Sequence, residues 1–572
     1  MANKKLIEVQ SPVSRFESLR MQLSDMSWKQ GFGNYFLENI PCDFPASKFF
    51  AARLGELVKA LYKKKDKKPF RIYEFGAGMG FLAKNTMDYL KDTYPEIHKN
   101  TLYYLTDSSI EVIEKIKKCH LFDEHKGHVP LNIINASAPG FTKDNVPDLI
   151  ISIYLLDALP SRYIEVKNGR IYEIQVSSCL PSEAFIFDAS QIPPQILKVN
   201  DVRNLLRSED TLKKIVLSRK ILSKLVEKYT RIPLEDITNM TQAERTDLIS
   251  FVKHLNPSGT IRFNYSYAVQ SFLKNILKIA GPDLMYYCYD LGYSHSKAKP
   301  AVDKLILKTG TTSFYGVFFP YLNYLLEKKG FSSIQNKETE GDSREVLAFN
   351  KANLTLAKSL LKSISTKNEY HKRAQDCQKI SKLQLQNTEN SLETVIEMAE
   401  KLTPSQKDNH TYLSMLAKYF LMKKKYYLVP ELAERNLKKY HDLDYESLML
   451  LGKTSMAFNY PKKAEKYFKE AGHLSQFVPS AYYELALLFL RKRDTKRFIS
   501  YAKRFLKYTR NDKFWQVLLL LALVYYQTSQ VEKARSISNW INKVIKLYPK
   551  LVPKDIFPIL AGLKQYEKTK KQ

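Results

Sequence analysis

The stretch YEFGAGMGFL, residues 73–82, limits what this chain can fold into more than any other. Gly76, Gly78 and Gly80 stand at every second position behind the apolar run RIYEF, and the amphipathic LAKNTMDYLKDTY follows. Glycine enters left-handed backbone conformations without steric cost and lets a ligand approach where a Cβ would block it. A strand, a glycine turn and a helix in that order predict a binding edge at the carboxyl end of a sheet. Around it, RIYEF, TLYYLTD, LNIINA and DLIISIYLL alternate with helical patterns between residues 70 and 180. This spacing predicts βαβ units and a mostly parallel sheet, an α/β Rossmann-like domain.

Beyond that core the pattern changes twice. From about 198 to 280 it reads as helical before the strand-like LMYYCYDLG at 284–292 returns, so an inserted helical lobe is expected. The polar IQNKETEGDSREV at 334–346 reads as a loop or boundary, and no strand is expected from about 350 onward. There a repeat of about 34 to 36 residues emerges. Leu451-Gly452, Leu485-Ala486 and Leu521-Ala522 hold equivalent places in successive first helices, with a weaker copy near Tyr412 and Ala417. Ala464, Phe468 and Ala471 mark a second helix, Ala534 marks the last, and Pro479 and Pro549 stand near unit ends. Period and small residues resemble tetratricopeptide repeats, stacked because one helical hairpin cannot bury its apolar face alone. The expected divisions are an N-terminal helical segment (1–69), the α/β domain (70–335), a linker with helices (336–405), an all-α TPR-like array (406–550) and a basic C-terminal tail (551–572).

Charge and cysteine usage narrow the setting. The formal charge is +31, and residues 401–572 carry about +20 of it. Such a surplus favours an acidic or extended protein partner. It also admits nucleic acid, although no RNP-type motif interleaves aromatic and basic residues. Five scattered cysteines without a CxxC pair argue against a disulfide scaffold or zinc ribbon and fit a cytoplasmic, reducing setting. The N-terminus has no apolar signal region, and the run FWQVLLLLALVYY at 514–526 is too short to span a bilayer.

The glycine stretch departs from the dinucleotide fingerprint GxGxxG, because Phe81 stands at the sixth position. It also lacks the Lys-Ser/Thr of a phosphate loop. LGKTSMAF at 451–458 has that pair but lacks the upstream glycine and reads as repeat helix. After the glycine turn and its helix, the second strand ends at Asp107, where a carboxylate can accept both hydroxyls of a ribose. The combination points to S-adenosylmethionine, with Glu74 or a nearby backbone group at its methionine end and Asn135 near the adenine edge. CHLFDEHKGH gathers Cys119, His120, His125 and His128 within ten residues. These are enough ligands for zinc, but the spacing matches no metal pattern and reads as a polar connecting loop.

With its flanks, the domain resembles the MidA family of SAM-dependent methyltransferases, which includes mitochondrial arginine methyltransferases that assist respiratory complex I assembly. The resemblance covers residues 28–335. Tyr35, Asp43, Phe44, Gly55 and Glu56 correspond to the family's Gly-Tyr-Tyr segment and its Asp-Phe…Phe-Gly-Glu helix. EFGAGMGFL is similar to its glycine turn, with Ala77 for Pro and Phe81 for Thr, and TDSSIEV to its Glu-x-Ser-Pro element through Asp107 and Ser109. Asp157-Ala158-Leu159-Pro160, Gly169, Glu173 and Val176 fall at family spacing, as do Gly259, Ser266, Asp290 and Gly292. Several polar positions differ. Lys48-Phe49 replaces Pro-Glu, Ile153-Tyr154 replaces Asn-Glu, and Asn264 replaces a glutamate. TSFYGVFF keeps only Val317 and Phe319 of the family's Asp-x-Thr-x-His-Val-Asp-Phe segment.

The resemblance implies SAM-dependent methyl transfer to a protein, with arginine among the acceptors. A guanidinium acceptor needs carboxylates that orient it in line with the methyl group. The remaining candidates are Asp157, following the fourth strand, and Glu56 and Glu173. The alternative is a catalytically inactive SAM-binding, or ligand-free, TPR scaffold for protein assembly. A nucleic-acid methyltransferase ranks behind both, since the Asn/Asp-Pro-Pro-Tyr/Phe element is missing.

Overall fold

The computed structural model describes residues 5–29, 44–63, 69–136, 146–278, 283–294, 307–309, 312–335, 343–350, 357–358, 367–386, 388–440, 443–474, 479–509, 513–548, 552–553 and 556–569. Tyr35, Asp43 and Pro549, read above as motif or unit-end residues, lie outside them.

The central sheet is built from β1 (Phe70–Phe75), β2 (Thr101–Asp107), β3 (Leu131–Ile133), β4 (Leu149–Ile153), β5 (Met285–Tyr293), β6 (Val317–Phe318), β7 (Phe331–Gln335) and β8 (Ser343–Asn350). Its order is β7-β8-β5-β4-β1-β2-β3, with β6 beside β5. The strands from β5 to β3 run parallel, and β8 is antiparallel to β5 and β7. Strand order reverses between β1 and β4. Such a reversal opens a crevice at the carboxyl ends of the strands.

Alternate side chains of each strand feed two cores, the mark of a sheet covered on both faces. Ile72, Leu149, Ile151, Tyr287 and Leu347 join one core, where α1 (Lys48–Tyr62), α2 (Phe81–Thr93) and α3 (Ile110–Lys118) pack. Tyr73, Ile150, Tyr286 and Val346 join the other, against helices Gln242–Leu255, Tyr267–Lys278 and Phe319–Lys328.

Three expectations about the sheets need correction. The lobe over 198–280 is mixed, since Val226–Pro233 and Ile261–Tyr265 join a second, antiparallel sheet with Leu6–Val13, Arg162–Lys167 and Arg170–Pro181. Val226–Pro233 is mostly exposed and charged, so its strand character comes from pairing along Tyr172–Cys179. The N-terminal segment likewise begins with a strand, which pairs with Val176–Pro181. The central sheet also runs past residue 335, because β8 pairs with both β7 and β5.

The C-terminal part is helical: α4 (His410–Met422), α5 (Val429–Lys439), α6 (Tyr445–Ala457), α7 (Pro461–Leu474), α8 (Pro479–Arg491), α9 (Thr495–Tyr508), α10 (Lys513–Gln527), α11 (Val531–Leu547) and α12 (Ile556–Thr569). The first eight form four consecutive hairpins with one recurring turn. Lys424, Asn459, Arg493 and Ser529, 34 to 36 residues apart, are all left-handed. In each turn the next residue's N–H bonds a carbonyl five residues back, for instance Lys425 N to Phe420 O and Tyr460 N to Ser455 O. The left-handed residue's own N–H bonds three back, which is the Schellman arrangement. Small residues allow close packing between paired helices: a Cβ on Gly452 would lie 2.3 Å from the Phe468 ring. Helix α12, in the segment expected as a tail, buries Ile556, Leu560 and Leu563 on the array core.

Among the described residues, ring contacts join the array to the α/β part. Tyr440 packs edge-on against Phe81 at 4.9 Å. Phe187 stacks on Phe514 at 5.5 Å and meets Trp515 and Trp540 edge-on.

Candidate functional site

The glycine turn is hung from the neighbouring strand. Thr106 O accepts hydrogen bonds from Gly76 N (2.9 Å) and Ala77 N (2.8 Å), and Thr106 Oγ1 donates to Glu74 O (2.9 Å). Gly76, Gly78 and Gly80 all have positive φ, at 80°, 52° and 76°. Gly80 precedes the first residue of α2, and a Cβ there would sit 3.1 Å from Leu121. The turn therefore requires glycine both for its backbone and for the space it occupies.

Two adjoining cavities open at the strand ends and share Gly76, Asp107, Leu155 and Ala158. The smaller, about 100 Å³, reaches Glu74, Gly78, Gly80, Phe81 and Tyr154. The larger, about 730 Å³, is lined by Ser109 and Asn135 on one side and by Phe16, Met21, Ser24 and Asp25 from the N-terminal segment on another. All seven residues expected at the cofactor site line this cleft. Sequence reasoning missed the N-terminal wall, whose residues carry no motif.

Two buried carboxyls set its electrostatics. Glu74 is 3% exposed, and burial pushes its pKa up to about 8 although the Tyr103 hydroxyl donates to its Oε2 at 2.7 Å. Asp107 is also raised by burial, which outweighs the backbone N–H groups of Ser109, Gly78 and Ser108. Ser109 N donates to Asp107 Oδ1 at 2.9 Å, whereas buried Oδ2 meets no donor. A buried carboxylate oxygen without a donor is costly. At this spot, a pair of ligand hydroxyls would satisfy it.

The three acid candidates are elsewhere. Asp157 follows β4 but turns inward beside Asp290. Burial and the Asp290 charge hold Asp157 well above the ordinary carboxylate range, and Asp290 is raised to about 7. Neither Asp157 oxygen has a hydrogen-bond partner, and burial beside Asp290 favours its protonated form. Asp290 also accepts from the backbone N–H groups of Leu155 (3.1 Å), Leu156 (2.7 Å) and Leu291 (2.9 Å). This pair fixes the turn whose Leu155, Ala158, Leu159 and Pro160 line the cleft. Glu173 is fully buried in the second sheet against Arg162 at 3.1 Å. Glu56 accepts from Tyr89 (2.7 Å) and Tyr94 (2.6 Å) on the outer side of α1.

The histidine segment is likewise tied internally. His125 bridges His98 (3.0 Å) and Asp88 (2.9 Å), and His128 reaches Thr101 O. Among the described residues no group of three His, Cys, Asp or Glu side chains could hold a metal ion. Nor, among them, is any helix long and apolar enough to cross a membrane.

Comparison with known proteins bears on the same region. Residues 53–229 match the model of a family described as "Putative S-adenosyl-L-methionine-dependent methyltransferase". No curated protein matches the chain. Among solved structures, an uncharacterized protein from Burkholderia thailandensis aligns with a TM-score of 0.37 and 12% identity, covering 59% of this chain and 87% of that one. A second, from the same organism, is described as a "likely methyl transferase" bound to S-adenosyl-homocysteine. It gives a TM-score of 0.35 and 13% identity over 59% of this chain and 88% of that one. Pseudomonas aeruginosa pilF aligns at 0.27 and 18% identity, over 35% of this chain and 86% of its own. At these scores the structural likenesses establish neither fold nor function.

Proposed function

We propose that this chain is an S-adenosylmethionine-dependent methyltransferase acting on a protein, with an arginine side chain as the acceptor, and that the TPR-like array presents that substrate. The observation that carries the cofactor assignment is Asp107, which lines the cleft at the end of β2 beside three left-handed glycines and has one buried carboxyl oxygen, Oδ2, without a donor. The family match over 53–229 supports the same assignment. Asp107 would hold the ribose hydroxyls, Ser109 and Asn135 the adenine side, and Glu74 with the glycine backbone the methionine end. Bound there, S-adenosylmethionine supplies an electrophilic methyl group.

The residues around it have separate tasks. The apolar walls, Leu155, Ala158 and Phe314 among them, exclude water from the reacting end. The Asp157–Asp290 pair holds the 155–160 turn and acts as a positioning device. Glu74, largely protonated at neutral pH, loses its proton when a cationic group settles beside it.

Calorimetric titration of S-adenosylmethionine and S-adenosylhomocysteine, with Asp107→Ala alongside, tests the reading. Micromolar binding lost in the variant, with S-adenosylmethionine releasing protons in buffers of different ionisation heat, supports it. No binding to folded protein overturns it.

One observation favours a second reading, a SAM-binding scaffold without transferase activity. Asp157, Glu173 and Glu56 are all engaged by other residues of the protein. Transfer of labelled methyl groups to proteins of a cell extract separates the two readings.

A further inference from the structure

The repeated turn of the array carries an uneven load from hairpin to hairpin. The α4–α5 turn presents Met422 and Tyr427, 66% and 65% exposed, and the α6–α7 turn presents Phe458 and Tyr460, 43% and 61% exposed. The two turns touch through their rings, because Tyr426 meets Phe458 at 6.2 Å and Phe458 meets Tyr460 at 6.4 Å. The same two turns, with the first turn of the helix that follows each, carry Lys423, Lys424, Lys425, Lys462 and Lys463 against one acidic residue, Glu431. The α8–α9 turn continues the line with exposed Arg491, Lys492 and Arg493, and Lys492 reaches Glu465 of the preceding hairpin at 2.7 Å. Asp494 is the one acidic residue of that turn.

We propose that this edge docks the protein on the surface of an anionic lipid bilayer. Charge complementarity fixes the sign of the partner, since basic residues outnumber Glu431, Glu465 and Asp494 along the edge. Shape and chemistry select the bilayer. The exposed apolar groups stand at the tips of successive turns, where a plane reaches them all at once, rather than in the groove between helices that would grip a peptide. Their rings meet edge-on or tilted, at 78° and 46°, which suits separate insertion better than a stack of bases. Tyrosine at the headgroup level and lysine beside it are the usual interfacial pair. Each lysine held at such a surface contributes about 1 kcal/mol, so a few suffice for measurable binding.

The test is flotation of the full-length protein with phosphatidylcholine vesicles, with and without phosphatidylserine, at low and high salt. About tenfold more protein should float with the anionic vesicles at low salt, and the excess should fall as salt rises. The charge-neutral pair Phe458→Ser and Tyr460→Ser should cut binding about fivefold with an unchanged melting temperature. Lys424→Asn, which keeps the left-handed turn, combined with Lys462→Gln, should do the same. Equal flotation with neutral vesicles overturns the proposal. So does undiminished binding by the serine pair, because diffuse charge alone would then explain it. Preferential binding of a single-stranded oligonucleotide through the same residues also overturns it, in favour of nucleic acid.

Discussion

The cleft and the helical array both depend on left-handed backbone, and they fill it differently. In the cleft the residues are Gly76, Gly78 and Gly80; in the array they are Lys424, Asn459, Arg493 and Ser529. The conformation costs a side chain of the L configuration roughly 1–2 kcal/mol in either place. In the array that side chain points to water, and the cost is offset by a capped helix end. At Gly80 it would press on Leu121, Leu105 and Phe122 in the core behind the turn. Glycine at position 80 therefore serves close packing as well as backbone, whereas the array's turns are open to side chains.

The sharpest way to break this contrast is Asp107→Ala. Losing a charge-assisted pair of hydrogen bonds should weaken S-adenosylmethionine binding by about ten- to a hundredfold, read by calorimetry, while leaving the melting temperature within a degree or two. Gly80→Ala should follow, destabilising the fold by about 1–2 kcal/mol in urea unfolding and weakening the same ligand. If the variant binds normally, the turn is only structural.

A pH series separates the two regions by their buried acids. Glu74 at about 8 and Asp290 at about 7 lie above their unfolded values, so their stabilising effect is complete below the ordinary carboxylate range and is lost as pH rises through 7 and 8. Urea midpoints of the α/β transition should fall across that window, by up to about 1.4 kcal/mol per pH unit and group, and Glu74→Gln should flatten the slope. The array has the opposite sign at Asp444, held low against burial by His410 at 2.9 Å, so acid should weaken it below the usual carboxylate range. The smallest effect is a gain. Arg493→Gly should stabilise the array by about 0.5–1 kcal/mol, because the turn already has the geometry glycine favours.

Much of the cleft was legible because its constraints are local. A strand, a turn and a carboxylate at the next strand end are neighbours in sequence order, and all seven cofactor candidates line one cleft. The array's period was legible for a related reason: each hairpin repeats the same turn, and Gly452 against Phe468 marks one close helix pairing. The strand Val226–Pro233 was not, since its residues show no apolar alternation and only the partner strand makes it extended. Asp157 shows the same limit in chemistry. Its place after β4 was readable, but the side chain's inward turn depends on Asp290, more than a hundred residues away.

The sequence by itself determined the α/β and helical-repeat parts, the glycine turn and the order of the cleft-lining residues, because periodicity and backbone permissiveness are properties of short stretches. Tertiary structure alone decided which carboxyls stay open. Burial and long-range pairing kept Asp157, Glu173 and Glu56 out of the cleft and left Asp107 lining it. It also aligned the tips of three distant turns into one cationic, aromatic edge, which no single repeat contains.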